Sequence, residues 1–482
     1  MRFTSIHEES GIALLLTLFA LALISILGLI VTMNAITELR ISDNSESHTQ
    51  AVLAAISGID HARIAVHRLD FDALLRGPDG VYDTSAAYIT KAKSFGFRLP
   101  FSILTAQTLN IEAPLADIVD AQDDGIISTG AFFGAPGTAL IPREGIAQWA
   151  YNPDGTGRIL SRYFVKVTNN NGEASELAGD ATNNPFIDGD GIIIVRSIGV
   201  SRTIAESAGE SIRRNSVAVF ESRLRRPAIW DLGPALNILG PSANAMFTGT
   251  PEIYGETEAG IGVLNTAGGG GGEFAEHLIK IASGVENISG GGLPSPSIRD
   301  ISTEAMNERD KSIFFNANAM NDYIGLRAPR IADIVYAGNQ NWTKSTMPFL
   351  GFYDKTRPWN DPPQKPYIVL VKGNLTVPEG LSGAGVLIIT GKLECAGTLD
   401  YRGLILVLGA GELSLAADGP GIAGGIVTAK LIDTGGEIMF GAPDIEIGGA
   451  TRIIADKELV RMALRLFPVE QISFREITTS DP

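Results

Sequence analysis

Four carboxylates in the C-terminal third of the chain are the residues whose type and spacing could support a reaction. They are Glu394, Asp400, Glu412 and Asp418, and they lie in or beside short apolar runs. Glycoside chemistry needs two carboxylates held about 5–10 Å apart across the scissile bond. The chain has 54 acidic residues against 38 basic ones, so a surface this acidic brings carboxylates close together by chance. We therefore predict that the protein is not an enzyme, and we keep binding or cleavage of polysaccharide as an alternative.

A second acidic cluster could hold a cation. Asp188 and Asp190 alternate with glycines, and residues 180–184 just upstream add further side-chain oxygens of the kind calcium prefers. The cluster is not an EF-hand loop, because the positions from Ile192 onward lack the required acids. Asp-Gly pairs also supply the positive-φ positions and local hydrogen bonds of a turn. A turn is the favoured interpretation, and calcium is the one cofactor that the sequence leaves open.

The sequence lacks the motifs of metal, nucleophilic and phosphate chemistry. Its five histidines show no HExxH spacing, and its single cysteine, Cys395, can form neither an intramolecular disulfide nor a Cys/His zinc site. There is no G-x-S-x-G nucleophile motif. The glycine runs at 268–272 and 290–292 are not followed by the Lys-Ser/Thr of a phosphate-binding loop, which favours linkers or turns.

The charge balance argues against nucleic acid as a partner. The formal net charge is −16, and the main basic cluster consists of Arg223, Arg225 and Arg226. A nucleic-acid-binding surface needs clustered lysine and arginine to neutralise phosphates. We therefore expect no nucleic-acid partner.

The element that must position everything else is an apolar stretch near the amino terminus. Residues 12–33 carry no charge and are long enough to cross the roughly 30 Å hydrocarbon core of a bilayer as a helix. The run is longer than the apolar core of a secretory signal peptide, and no A-x-A-like cleavage site follows it. The sequence thus predicts a transmembrane helix that follows a short leader.

This helix is predicted to continue well beyond the membrane, to about residue 68. No proline occurs before Pro78, and apolar residues recur at three- and four-residue spacing. The recurring positions are Ile36, Leu39, Leu53, Ile56, Ile59, Ala62 and Val66. Strand patterns at 162–167, 191–197 and 216–221 predict a sheet that covers this apolar stripe.

The leader ending in Gly11, the apolar run and the amphipathic second half together resemble a type IV pilin-like protein, most similar to PilX-type minor pilins. The resemblance implies that prepilin peptidase cuts after Gly11 and that Ile12, the new first residue, is N-methylated. Major pilins carry a glutamate at the fifth mature position, where this chain has Leu16. K-type pseudopilins of type II secretion also lack that glutamate. The resemblance further implies an inner-membrane location, pilin subunits and the pilus assembly machinery as partners, and display on the pilus after assembly.

The C-terminal third contains an internal repeat. Apolar runs begin at Ile368, Val386 and Leu404, which are 18 residues apart, and residues 425–429 continue the series after a longer spacing. Residues 437–440 and 445–447 are expected to extend it. A fixed period of this kind is typical of a solenoid, and short β-runs favour a right-handed parallel β-helix with coils about 4.8 Å apart.

The sequence therefore predicts an α+β protein with four parts. These are a leader at 1–11, a long helix at 12–68, a pilin-like head with an antiparallel sheet at 69–226, and a glycine-rich β-helix-like domain at 227–482. The function expected from the resemblance is that of a non-catalytic minor pilin in pilus assembly, at the pilus tip or in adhesion. A minor pseudopilin of type II secretion and a membrane-anchored β-helix protein acting on polysaccharide are the alternatives.

Overall fold

The computed structural model describes most of the chain. The described residues are 6–69, 71–74, 103–112, 133–135, 138–139, 144–151, 155–170, 191–202, 214–226, 230–267, 272–302, 312–357 and 363–477. A long N-terminal helix is followed by a large β-rich region, which places the chain in the α+β class.

The helices are mostly short apart from the first. They are α1 (Ile6–Ala65), α2 (Phe71–Leu74), α3 (Ile103–Thr108), α4 (Gly272–Ile281), α5 (Ala317–Asp322), a π-helical turn (Tyr323–Arg327), α6 (Ala328–Ile331) and α7 (Lys457–Leu464).

The strands of the described residues fall into three sheets. The first two strands pair with each other, and they are β1 (Phe133–Ala135) and β2 (Thr138–Ala139). A five-stranded sheet contains β3 (Glu144–Tyr151), β4 (Gly157–Asn169), β5 (Ile192–Ser201), β6 (Ser216–Arg225) and β24 (Glu470–Glu476). The remaining strands form one large sheet: β7 (Leu236–Gly240), β8 (Asn244–Phe247), β9 (Glu252–Tyr254), β10 (Ile261–Asn265), β11 (Ile288–Ser289), β12 (Ile298–Asp300), β13 (Ile334–Ala337), β14 (Gln340–Asn341), β15 (Gly351–Phe352), β16 (Lys365–Lys372), β17 (Leu375–Val377), β18 (Gly380–Ile389), β19 (Lys392–Gly409), β20 (Glu412–Asp433), β21 (Ile438–Gly441), β22 (Asp444–Gly449) and β23 (Arg452–Ala455).

The chain forms two compact units, and the second is inserted into the first. Unit 1 consists of Met1–Val66, Phe71–Leu224 and Gln471–Pro482, and unit 2 consists of His67–Asp70 and Arg225–Glu470. The sequence-based boundary kept residues 227–482 together. In the structure the chain leaves unit 1 after β6, builds unit 2, and returns to unit 1 as β24.

Unit 1 contains α1 and the five-stranded sheet, whose strand order is β24-β6-β5-β4-β3. The strand patterns predicted from the sequence fall within β4, β5 and β6, and both β3 and β5 pair with β4 in antiparallel fashion. β24 also runs opposite to its neighbour β6. The Ser222 hydroxyl donates to the carbonyl of Ser473, whereas the amide of the later residue Ile477 donates to the carbonyl of the earlier residue Val219.

Unit 2 is built from parallel strands that stack in three ladders. The first ladder has the order β12-β10-β7-β20-β19-β18-β16-β13. The second has the order β11-β9-β23-β20-β19-β18. The third has the order β8-β22-β20-β19-β17-β14. The long strands β19 and β20 bend through the corners and contribute to all three ladders.

The 18-residue sequence repeat corresponds to the pairing within these ladders. Ile368 pairs with Val386, and Val386 pairs with Leu404, each in parallel. Leu404 then pairs with Gly425, after the longer spacing seen in the sequence. The run at 437–440 does not continue the series, because β21 folds back and pairs with the end of β20 in antiparallel fashion. The next run does continue it, as β22 in the third ladder.

Between its end strands β12 and β13, the first ladder is buried on both faces, which explains its unbroken apolar runs. Val369, Leu387 and Ile405 point into the inner core shared by the three ladders. Their neighbours Ile368 and Val386 point outward into a second core. This second core is covered by the helical segment 312–331, by α7 and by Trp230.

The order of the coils in the stack differs from their order in the chain. β7, the first strand of unit 2, pairs with β10 on one side and with β20 on the other, so the chain enters in the middle of the stack. It builds the coils up to β12, resumes at the opposite end with β13, and returns through β16, β18 and β19 to β20. The beginning and end of unit 2 consequently meet, and an Arg225 guanidinium nitrogen lies 3.3 Å from a Glu470 carboxylate oxygen.

Candidate assembly surface on the first helix

The first half of α1 exposes a continuous apolar surface. Every large apolar side chain from Leu14 to Met33 has between 47% and 72% of its surface exposed. Among the described residues, this is the one helix that is long and apolar enough to cross a membrane, although a signal sequence would have the same properties. A soluble monomer does not expose an apolar surface of this size, so it must be covered by lipid or by other protein.

The few polar side chains in this stretch are satisfied within the helix. The hydroxyls of Thr17, Ser25 and Thr32 each donate to a main-chain carbonyl three or four residues earlier, at 2.7–2.8 Å. Hydroxyl groups bonded in this way can enter hydrocarbon without an unpaired donor. The segment therefore suits an apolar environment in its polar residues as well as in its apolar ones.

The predicted processing site lies near the start of this helix. Gly11 and Ile12 have helical backbone within α1, which begins at Ile6. Leu16, the fifth residue when Ile12 is counted as the first, is 62% exposed and leaves this part of the helix without a charge. The calcium candidates Asp188 and Asp190 lie outside the described residues.

The second half of α1 packs against the sheet of unit 1 through small side chains. The buried positions of this face are Ser47, Gln50, Ala51, Ala54, Ala55, Gly58, Ile59, Ala62 and Val66. The sequence correctly assigned Ile59, Ala62 and Val66 to the buried stripe. It was wrong for Ile36, Leu39 and Leu53, which are 46%, 65% and 58% exposed. Small residues let the helix and strand backbones approach closely, and Leu53 would keep them apart.

Two glycines set this close approach. A β-carbon on Gly199 of β5 would overlap the carbonyl oxygen of Ala51 and the amide nitrogen of Ala55. A β-carbon on Gly58 of the helix would overlap the Ser197 hydroxyl. At Gly199 the strand backbone therefore lies directly against the helix backbone. At Gly58 the helix glycine lies against the Ser197 side chain of the strand.

Polar contacts fix how the helix lies along the sheet. The Ser201 hydroxyl donates to the Gln50 side-chain oxygen at 2.9 Å, and the Tyr163 hydroxyl is hydrogen-bonded to Nδ1 of His61. Burial raises the pKa of Tyr163, so its hydroxyl keeps its proton and can donate it to the imidazole. These bonds join β4 and β5 to one face of the helix and leave the opposite face open.

The open face of the second half is amphipathic. Leu53 and Ile64 are 58% and 71% exposed. They alternate with charged residues, among them Asp60 and Arg63, which form an exposed ion pair at 3.3 Å. Apolar groups on this outer face, continuous with the apolar first half, form a surface that neighbouring helices of the same kind can contact.

A buried ion cluster ties the C-terminal strand to the sheet. Glu221 of β6 is 1% exposed, and one of its carboxylate oxygens lies 2.7 Å from the guanidinium of Arg196 on β5. Its other oxygen lies 3.1 Å from the guanidinium of Arg475 on β24. A single glutamate in a strand pattern carries no signal of such a cluster, because the partners are 25 and 254 residues away.

The four carboxylates of unit 2 do not form one site. Glu394 lies 3.3 Å from Lys392, and Asp400 lies 3.8 Å from Arg402. Asp418 sits opposite Thr398 in the ladder. Glu412 is the member of the four that lines a groove, of about 450 Å³, beside α4.

This groove has three carboxylates in its wall. Glu412 is joined there by Asp444 and Glu446, on the strand next to it. Hydrogen bonds from Lys430 and then Asn244 lower the pKa of Asp444, so it stays ionised and does not act as a proton donor at neutral pH. Within the described part of the chain, no group of three or more histidine, cysteine or acidic side chains is arranged to hold a metal ion.

The single cysteine is unreactive. Cys395 is buried in the inner core of unit 2, and burial raises its pKa to about 12. Because the thiolate is the reactive form, the thiol is inert at physiological pH. The sequence had assigned it the same role, that of a buried small apolar residue.

The long apolar helix and the sheet packed on its second half are the features expected of a pilin-like protein. No family model matches the chain, and no curated protein matches it either. Among solved structures, the chain is similar to the competence-associated pilin ComZ from Thermus thermophilus, with 10% sequence identity over 82% of this chain and 98% of that chain. The TM-score is 0.14, which does not establish a common fold.

Proposed function

We propose that this chain is a non-catalytic minor pilin of a type IV pilus, acting in assembly, at the tip or in adhesion. The observation that carries the proposal is the division of α1 into two faces. Small residues hold one face against the sheet of unit 1, and apolar side chains remain exposed on the rest, from Leu14 to Ile64. A helix of this kind can pass from a bilayer into the core of a helical filament and meet an apolar environment in both.

In this proposal α1 has two successive partners. Prepilin peptidase cuts after Gly11 at the inner membrane, and Ile12 becomes the N-methylated first residue. The helix then leaves the lipid and packs against the helices of other pilin subunits under the control of the assembly machinery. The exposed Leu53 and Ile64 supply contacts on the part of the helix that lies outside the membrane.

Unit 2 is, in this proposal, a right-handed parallel β-helix displayed by the pilin-like unit. Its support is the parallel pairing in three ladders with an 18-residue offset between Ile368, Val386 and Leu404. The inner core common to the three ladders is the arrangement that a parallel β-helix requires.

The mass of the mature amino terminus tests the proposal. The full chain is expressed in cells that have a prepilin peptidase, as wild type and as Gly11→Val, with Gly28→Val as the matched control. Gly28 has open space around its α-carbon, so its substitution is expected to leave processing intact. A terminus at N-methylated Ile12 in wild type and control, lost in Gly11→Val, would support a pilin. An intact Met1 in all three proteins would refute it.

Two alternatives remain. A minor pseudopilin of type II secretion would be processed identically, and it is distinguished by its presence in a secretion complex and its absence from purified pili. A polysaccharide-directed protein is favoured by one observation, the groove that holds Glu412, Asp444 and Glu446. Product release from a polysaccharide panel by the full chain, abolished by Glu412→Gln, would replace our choice with an enzyme.

A further inference from the structure

The two ends of the strand stack in unit 2 differ in what covers their terminal strands. At the β12 end, the coil that contains β10 and β11 has the helix α4 where the other coils have a third-ladder strand. Phe274, Ala275 and Leu278 of α4 are buried in the inner core, so this amphipathic helix covers that end. Solenoids need such caps, because a terminal coil otherwise leaves main-chain groups and core side chains exposed.

The β13 end has no such helix among the described residues. Its terminal strands are β13 in the first ladder and β14 in the third, with Leu350 bridging to Gly383 in the second. Within the described part of the chain, β13 pairs with β16 on one side and with no strand on the other.

The hydrogen-bonding pattern shows which groups of β13 face this free edge. The carbonyl of Val371 accepts from the Thr390 amide, so Val371 bonds toward β18. Its neighbour Leu370 therefore bonds toward β13, because successive residues of a parallel strand alternate between their two neighbours. Val335 lies opposite Leu370, and the same alternation directs the amide and carbonyl of Val335 away from β16.

The surface around this edge is positively charged on a protein that is strongly acidic. Residues 323–372 contain seven lysines and arginines against three acids. Five of these cations are exposed and form no ion pair with any described residue: Arg327, Arg330, Lys344, Lys365 and Lys372. Of the acids in this range that the structure describes, Asp333 pairs with Arg68 and Asp354 lies 3.5 Å from Arg357. Just outside the range, a Glu379 carboxylate oxygen accepts from the main-chain amide of Lys344 at 2.6 Å.

Large apolar side chains are exposed at the same end. Leu326 and Phe349 are 57% and 60% exposed, and Val335 and Phe352 are both 43% exposed. Lys372 lies opposite Ala337 of β13, and Lys365 lies opposite Phe352, so cations and apolar groups are neighbours at this end of the stack. A free strand edge, unpaired cations and exposed apolar groups together suit an extended partner with alternating acidic and apolar residues.

We propose that the β13 end of unit 2 binds an acidic, extended segment of a partner protein, which adds as the next strand along β13. The segment bonds through its main chain to the amide and carbonyl of Val335. Its carboxylates lie on the face that carries Val335 and Lys372, where they meet Lys372 and Arg330, and its apolar side chains lie on the opposite face, next to Ile334 and Tyr336. The proposal rests on unit 2 alone and does not depend on the processing of α1.

A peptide-binding experiment on the full chain in detergent tests this. The probe is a fluorescent peptide of about ten residues that alternates Glu and Val, with a Lys–Val peptide for comparison. Val335→Pro removes the outward amide, a change that edge strands tolerate, and Val335→Thr is the matched control that keeps it. The double charge reversal Arg330→Glu with Lys372→Glu is matched by Lys280→Glu, an exposed lysine on α4 at the opposite end.

We expect the Glu–Val peptide to bind, and Val335→Pro and the double reversal each to weaken it by about tenfold or more, with both controls within about twofold of wild type. Hydrogen exchange gives a second readout without substitution, because peptide binding should slow exchange of the Val335 amide. Failure of the Glu–Val peptide to bind, equal binding of the Lys–Val peptide, or an unchanged Val335 amide would overturn the proposal. Weakening by the charge reversal but not by Val335→Pro would also overturn it, since the partner would then be an anionic surface such as lipid or polysaccharide.

Discussion

Single glycines determine how closely the helix and sheet of unit 1 approach. At Gly199 the space that a side chain would need is occupied by backbone atoms of Ala51 and Ala55 in α1. Any larger residue must push a strand that is buried along its whole length away from the helix. The cost then falls on the contact that holds α1 against the sheet.

Gly199→Val should therefore loosen the helix from the sheet. We expect amides of β4 and β5 to lose about 2–3 kcal/mol of protection against hydrogen exchange, the range typical of forced overpacking. Gly28→Val makes the same chemical change where nothing lies within 4 Å, and it should leave those amides unchanged. Equal protection in the two variants would mean that the close approach at Gly199 contributes nothing to stability.

At the scale of elements, local patterns were predictable from the sequence and distant pairings were not. The runs at Ile368, Val386 and Leu404 repeat because adjacent coils see the same environment, so their spacing predicts their pairing. The pairing of Leu236 with Ile426 links residues 190 positions apart with no repeat between them, and nothing local indicates it.

The buried face of α1 also could not be predicted in full from local sequence. Leu53 is more hydrophobic than Ala54, yet the structure buries Ala54 and exposes Leu53. The reason is that the backbones of α1 and the sheet lie close together, and only a small side chain fits between them. Processing at Gly11 stays a prediction, and it depends on an uninterrupted local run. The ion cluster at Glu221 could not be predicted, since its partners come from two other strands.

Removal of one coil tests whether the 18-residue unit is the structural repeat. Deleting residues 386–403 joins Gly385 to Leu404 and keeps every following side chain on its original face, because Gly385 and Gly403 occupy equivalent positions. We expect this variant to unfold cooperatively, with its midpoint lowered by roughly 10 °C or less through loss of one coil interface.

The control deletion removes residues 386–402, one residue fewer. The next strand is then shifted by one position, which exchanges the side chains that face the inner core with those that face the second core. This variant should lose cooperative unfolding, as followed by circular dichroism. If both deletions unfold alike, the 18-residue spacing does not define the coil.

At the scale of the whole molecule, unit 2 is an insertion whose two ends meet. β6 and β24 are antiparallel neighbours in unit 1, and Arg225 and Glu470 at the ends of unit 2 form an ion pair. An insertion with adjacent ends leaves the host sheet intact, so the host should fold without it.

Replacing residues 226–469 by an Asn-Gly turn should thus give a folded unit 1. A two-residue turn of this type joins antiparallel neighbours. We expect protection of β5 and β6 amides to persist in hydrogen exchange. Adding Glu221→Gln to the shortened chain should lower that protection by about 3 kcal/mol or more, because Arg196 is then buried without its counter-charge. Loss of protection in the shortened chain without Glu221→Gln would show that unit 2 is required for the sheet.

The meeting of the two ends also decides what happens under tension. Force applied to a pulled fibre follows the covalent chain and the contacts between its entry and exit points. The chain enters and leaves unit 2 at one place, where Arg225 and Glu470 form an ion pair. Load carried by α1 and the sheet of unit 1 is therefore not transmitted through unit 2. In the pilus that we propose, the ladders of unit 2 are therefore mechanically off the load path, and a segment bound to them would stay on an unstrained surface while the fibre is stretched.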